Sequence, residues 1–157
     1  VYRWPLVSAY SVSKAAVVKY TENLARETSR HGIAVFSVHP GLLPIGLAEP
    51  ALAGGPPDGS HAARVYALVR QEIADGRGAD PARAVKLIGD LASGRYDALS
   101  GLQLSVHDDV EAVLARLHDV RDDGLYVLGL RTLPAAAEQR RRRGRPVPVD
   151  DGTARSA

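Results

Sequence analysis

"HGIAVFSVHPG", residues 31–41, decides the fold. Gly32 can take the left-handed conformation that ends a helix, so His31 and Gly32 read as a stop for the segment before them. Residues 33–38 are a β-branched and aromatic run without clean alternation, which is the pattern of a parallel strand buried on both faces. Pro40 and Gly41 close the run. Helix, glycine and buried strand in quick succession predict an α/β layered fold.

Upstream, residues 9–30 predict a helix with Ser8 or Ser11 as N-cap. Tyr10, Lys14, Val17, Thr21, Leu24 and Thr28 recur at steps of three and four and define one face. Val12, Ala16 and Tyr20 widen its apolar surface. Downstream, residues 42–60 ("LLPIGLAEPALAGGPPDGS") read as a long loop, of the length used for a substrate lid. Residues 61–75 predict an amphipathic helix with Ala62, Val65, Tyr66, Val69 and Ile73 on one side. Asp80 and Pro81 are N-cap and first-turn proline of a third helix that stops near Gly94. Residues 99–106 ("LSGLQLSV") predict a second strand. Asp108 and Glu111 have capping-box spacing for a helix over residues 109–120. "LYVLGLRTL", residues 125–133, predicts a short final strand or extended segment.

The 157 residues suit one domain, and an apolar fraction of 45% with a charged fraction of 24% is ordinary for a globular protein. The chain has no cysteine, which excludes disulfides and thiolate metal sites and agrees with a cytoplasmic location. No apolar run approaches the roughly 20 residues of a membrane span. The formal charge of +2 is unevenly placed. Residues 134–157 hold six Arg against three acidic residues, while residues 1–133 hold 14 basic and 15 acidic residues. The body therefore has no general affinity for polyanions. Arg140, Arg141, Arg142, Arg143 and Arg145 read as part of a solvated, disordered tail rather than a nucleic-acid contact, since no aromatic residue interleaves for stacking.

Tyr10 and Lys14 stand one helical turn apart, and Lys14 is one of three lysines among 20 basic residues. A phenol is a weak acid, with an unperturbed pKa of roughly 10. A fixed ammonium nearby favours its phenolate, so such a pair can exchange a proton with a carbonyl or alcohol oxygen. The ammonium also has donors for a sugar hydroxyl. In sequence, "AYSVSKAAV" is followed by "GIAVFSVHPG" and, later, "LSGLQLSVHDD". Together, and in this order, these segments resemble the C-terminal half of the short-chain dehydrogenase/reductase family, over roughly residues 5–109.

The resemblance implies the C-terminal half of a doubly wound, Rossmann-like parallel sheet in residues 1–133, without the N-terminal dinucleotide-binding half. It implies hydride transfer between NAD or NADP and a small-molecule carbonyl or alcohol. Tyr10 would be the general acid/base. Lys14 would favour its phenolate and hold the nicotinamide ribose. Pro40, Gly41, Leu42 and Leu43 would shape the nicotinamide pocket. The helix bearing Tyr10 and Lys14 would pair copies into a homodimer or homotetramer.

Three features depart from the family's pattern. No glycine-rich turn follows a strand, so nothing marks a pyrophosphate site. The serine expected about a dozen residues before the tyrosine has no counterpart, since Ser8 and Ser11 are too close to Tyr10. Ile45 stands near the place of a cofactor-contacting threonine. With no Met anywhere, and only nine residues before Tyr10, we expect a truncated enzyme, inactive as this fragment. The alternatives are a non-catalytic remnant or interaction module, and a fragment of a nucleotide-sugar epimerase or dehydratase. His39 reads as a packing and turn residue, His118 as a solvated one. His107, Asp108 and Asp109 read as part of a helix cap rather than as metal ligands.

Overall fold

The computed structural model describes residues 6–56 and 59–130. Its secondary structure is α1 (Ser8–Thr28), β1 (Ser37–His39), α2 (Glu49–Leu52), α3 (His61–Ala74), α4 (Pro81–Ala92), β2 (Gln103–Ser105), α5 (Val110–Ala115) and α6 (Leu117–Asp122). The two strands pair in parallel, with Ser37 opposite Gln103, Val38 opposite Leu104 and His39 opposite Ser105. The fold is thus α/β around a small parallel sheet, consistent with part of a Rossmann-like layer. The Arg-rich segment 134–157 and the end of the predicted last strand, residues 131–133, lie outside the described residues.

Local chemistry explains most helix boundaries. α1 ends in a 3-10 turn (Ser29–His31), and Gly32 follows it at φ 68°, as a left-handed stop. Asp80 caps α4 by accepting the Ala82 N–H, with Pro81 in the first turn. Ser60 caps α3 by accepting the Ala63 N–H. α1 does not start as predicted. Its N-cap is Val7, with no side-chain cap, and Ser8 is already helical. Its buried residues are Val18, Thr21 and Ala25, so the covered face runs one position away from Val17, which is exposed.

Both strands are shorter than the sequence suggests. Residues 33–36 lie outside the ladder, Ile33 is exposed, and Ala34, Val35, Phe36 and Val38 are half-buried, so the run is not buried on both faces. Leu99, expected in the second strand, instead ends a 3-10 turn (Asp97–Leu99), and Gly101 at φ 91° turns the chain before β2 begins. That leaves three residues for pairing, plus flanking bonds from Gly101 N–H to Val35 O and from Val106 N–H to His39 O. The segment 42–60 is not a continuous loop: it holds a 3-10 turn (Gly46–Ala48) and α2. The helix predicted over residues 109–120 is two helices, broken at Arg116 (φ −111°, ψ 26°). Asp109, not Asp108, caps α5, and the Asp108 carboxylate accepts the Ser105 N–H instead. Glu111 is drawn away from any capping box by Tyr96, whose hydroxyl donates to it at 2.6 Å, and by Arg95. After α6 the described chain is irregular rather than a strand, and the Tyr126 carbonyl accepts the Gln103 N–H.

The main core gathers residues of α4, β2, α5 and α6 around Leu99 and Leu104, both fully buried. A smaller cluster joins α2 to α3 through Ala48, Ala51 and Val69, with Leu42, Tyr66 and Ile73 against it. Among the described residues no helix is long and apolar enough to cross a membrane.

Candidate active site

Tyr10 and Lys14 lie in the first and second turns of α1, on the face that Val18, Thr21 and Ala25 bury lower down. Geometry explains why this face emerges from cover at its start. About 33 Å of helix separates Tyr10 from Gly32, against about 23 Å of extended chain from Gly32 to His39. α1 packs on β1 after a short reversal. The 22 residues from Tyr10 to Gly32 thus span more length than the seven that lead back to the end of β1 at His39. In open parallel sheets that end is where ligands bind. Tyr10 is 53% exposed.

The pair is in contact. The Lys14 ammonium lies over the Tyr10 ring, 5.3 Å from its centroid, as a cation–π arrangement. Ser13 donates to the Tyr10 carbonyl, a local back-bond that leaves the phenol untouched. Ser8 and Ser11 are both within the helix, and no serine hydroxyl bonds the Tyr10 hydroxyl among the described residues.

Beyond β1, Pro40, Gly41, Leu42 and Leu43 form a turn tied to its surroundings at three points. The Gly41 N–H donates to His39 Nδ1 at 3.3 Å. The Leu42 carbonyl accepts the Ala79 N–H at 2.9 Å, and Leu42 bridges Gly78 in parallel fashion. Gly41 has φ 79°, and a Cβ there would stand 2.3 Å from the Ala79 Cβ and 3.1 Å from Val106 Cγ2. Only glycine fits that approach. The turn was legible from "HPG"; its support by Ala79, Val106 and His107 was not, because those contacts are distant in sequence. No hydrogen bond joins Tyr10 or Lys14 directly to residues 40–43 among the described residues.

The other weighed residues fall as follows. His39 is the expected turn residue, through its bond to Gly41. His118 is exposed on α6 and pairs with Asp122 at 2.9 Å. Ile45 is exposed ahead of the Gly46–Ala48 turn. Tyr96 is held protonated to above its ordinary pKa, first by its hydrogen bond to Glu111 and then by burial. The Arg77 guanidinium, bonded to Glu72 at 2.6 Å, holds the Glu72 carboxyl below its usual range.

Residues 1–51 match the family profile described as short chain dehydrogenase. Two curated relatives are both named Oxidoreductase UcpA, from Salmonella typhimurium (strain LT2) and Salmonella typhi. Each is 34% identical over 99 residues, which covers 63% of this chain and 37% of the relative. The match thus spans little more than a third of the length of these relatives. No solved structure matches the chain. The Tyr10 and Lys14 helix, β1 and the turn at Pro40 and Gly41 all lie inside the residues that match the short chain dehydrogenase profile.

Proposed function

We propose that this chain carries the proton-transfer pair and the nicotinamide-facing turn of an NAD(P)-dependent oxidoreductase acting on a carbonyl or alcohol. One observation carries the reading. Tyr10 and Lys14 touch each other one turn apart at the start of α1, the ammonium 5.3 Å from the ring centroid. The chemistry such a cofactor supplies when bound is hydride exchange with the substrate carbon. Tyr10 would give its phenolic proton to the carbonyl oxygen during reduction and take it back during oxidation. Lys14 would hold a positive charge beside the phenol through that exchange and offer its remaining N–H donors to a ribose hydroxyl.

The residues present fit the nicotinamide end of the cofactor only. Lys14 supplies a cation and Gly41 a compact turn, whereas no glycine-rich turn opens a helix for the pyrophosphate among the described residues. We therefore read the described residues alone as unable to complete turnover. Relatives that are longer than this match carry more chain, and the complete activity is proposed only for a protein with a dinucleotide-binding half.

Binding of the whole cofactor against its nicotinamide mononucleotide half tests this reading. The two reduced compounds should bind the chain weakly and alike, within about threefold, and shift the NMR signals of Lys14 and of residues 41–43. Much tighter binding of NADH or NADPH would refute the half-site. Shifts confined to other residues would refute the placement.

A second reading, an interaction module, is favoured by the outer face of α1, where Val12, Val17 and Tyr20 are exposed. It also accommodates the homodimer or homotetramer implied by the family. Sedimentation of the chain and of Val17→Lys separates the two. Self-association lost in the variant, with no nicotinamide binding in either, supports the module.

A further inference from the structure

The bond from the Gly41 N–H to His39 Nδ1 has a chemical condition attached. An imidazole nitrogen accepts only while it carries a lone pair, so His39 must be neutral with its proton on Nε2. A second proton would go to Nδ1, turning the acceptor into a donor that faces another donor. His39 is exposed at the end of β1, so solvent protons reach it.

We propose that His39 is a positioning residue for the Gly41 turn, and that protonation at Nδ1 releases the Gly41 N–H and loosens the turn. Gly41 has little slack to compensate. Its Cα faces Ala79 too closely for any Cβ, and the Leu42 carbonyl is already committed to the Ala79 N–H. The charged and titratable groups on the surrounding elements are Tyr10 and Lys14 on α1, Asp80 and Arg83 at the start of α4, and His107, Asp108 and Asp109 after β2. Of these, His107 reaches the turn, its Nε2 standing 3.5 Å from where a Gly41 Cβ would be. Arg83 is held by the Val106 carbonyl and Asp108 by the Ser105 N–H, so neither competes for Gly41. That the turn serves a nicotinamide rests on the function proposed above; the hydrogen bond and its loss do not.

The test uses the full chain, labelled with nitrogen-15 and free of ligand. At neutral to alkaline pH, His39 should show the Nε2–H tautomer. Gly41 amide exchange, corrected for intrinsic base catalysis, should be slowed about three- to tenfold by the bond. That protection should vanish in step with His39 titration. In His39→Asn the amide oxygen stands near the Nδ1 position without titrating, so protection should persist as pH falls. In His39→Ala it should be absent at every pH. An Nδ1–H tautomer, or Gly41 protection that ignores His39 titration, overturns the proposal. The tautomer and titration are read on the unmodified chain, so a misfolded variant does not shield it. A second arm measures nicotinamide mononucleotide binding. Affinity that falls with His39 protonation in the parent but not in His39→Asn ties the switch to the cofactor. No binding at any pH, with the amide results intact, refutes the cofactor reading and leaves the switch standing.

Discussion

At the scale of single residues, Gly41 is the position with the least tolerance. Gly41→Ala places a Cβ 2.3 Å from the Ala79 Cβ in a backbone conformation at φ 79°. The left-handed penalty is about 1–2 kcal/mol and crowding adds about 1–3 kcal/mol. Chemical denaturation should show a loss of about 2–5 kcal/mol. Ala79→Gly should return the crowding part in the double variant and leave the backbone part. A double variant no better than Gly41→Ala alone would show that the contact is not the cause. Tyr96 gives a different test. Its pKa is raised above the ordinary tyrosine value by the bond to Glu111 and by burial. The neutral form is therefore bound more tightly in the folded state. That contribution is complete below about pH 10, the unfolded value, and is lost as pH rises through the folded value. The urea midpoint should fall with alkaline pH, and Tyr96→Phe should flatten that fall. An equally steep fall in the variant would assign it elsewhere, Tyr126 being the next candidate since burial raises it too. Tyr10, Lys14 and Gly41 were legible because helix spacing and turn chemistry are local. The partners that constrain them were not: Ala79 and Val106 reach Gly41 only through tertiary contact, and nothing in "HDDVE" announces that Glu111 is claimed by Tyr96.

Elements were readable where a cap or a breaker sets them and misread where a partner sets them. Asp80 with Pro81, Ser60, and Gly32 each fix a boundary through a bond or dihedral of their own. Strand length has no such local cause. A strand extends only as far as its neighbour, and the turn at Asp97–Leu99 with Gly101 shortens β2, hence β1. The break at Arg116 falls in a run without Gly or Pro, so no residue type marks it. The same pairing logic predicts the behaviour of the other edge of β1. Ser37 N–H bonds Leu102, and Val35 and His39 accept from Gly101 and Val106, so alternate residues face β2. Phe36 and Val38 point their backbone groups the other way, where no strand lies among the described residues. Residue-resolved hydrogen exchange should find the Phe36 and Val38 amides at least about tenfold faster than Ser37. Equal protection would mean that a second copy, or residues outside those described, covers this edge.

The whole molecule divides its apolar burial unequally, and its stability should divide likewise. The main core packs α4, β2, α5 and α6 around Leu99 and Leu104. Among the described residues the α2 and α3 cluster buries Ala48, Ala51 and Val69, two of them alanines with little surface to remove from water. Polar links reinforce it modestly: Arg70 donates to the Ala51 carbonyl at 3.0 Å, and Arg77 ties the end of α3 through exposed pairs with Glu72 and Asp75. Exposed pairs of that kind add little. We expect α2 and α3 to open as a unit at lower free energy than α4 and β2. This bears on function because Leu42, at the edge of the Gly41 turn, packs against that smaller cluster. Opening it would uncover one side of the turn without unfolding the sheet. Two variants make the hierarchy measurable. Val69→Ala should speed exchange in α3 and leave α4 and β2 nearly unchanged. Leu104→Ala, emptying a fully buried site, should cost about 2–5 kcal/mol and speed exchange everywhere. If Val69→Ala instead lowers protection equally in α3, α4 and β2, the two clusters unfold together. That side of the turn would then be as rigid as the sheet that carries it.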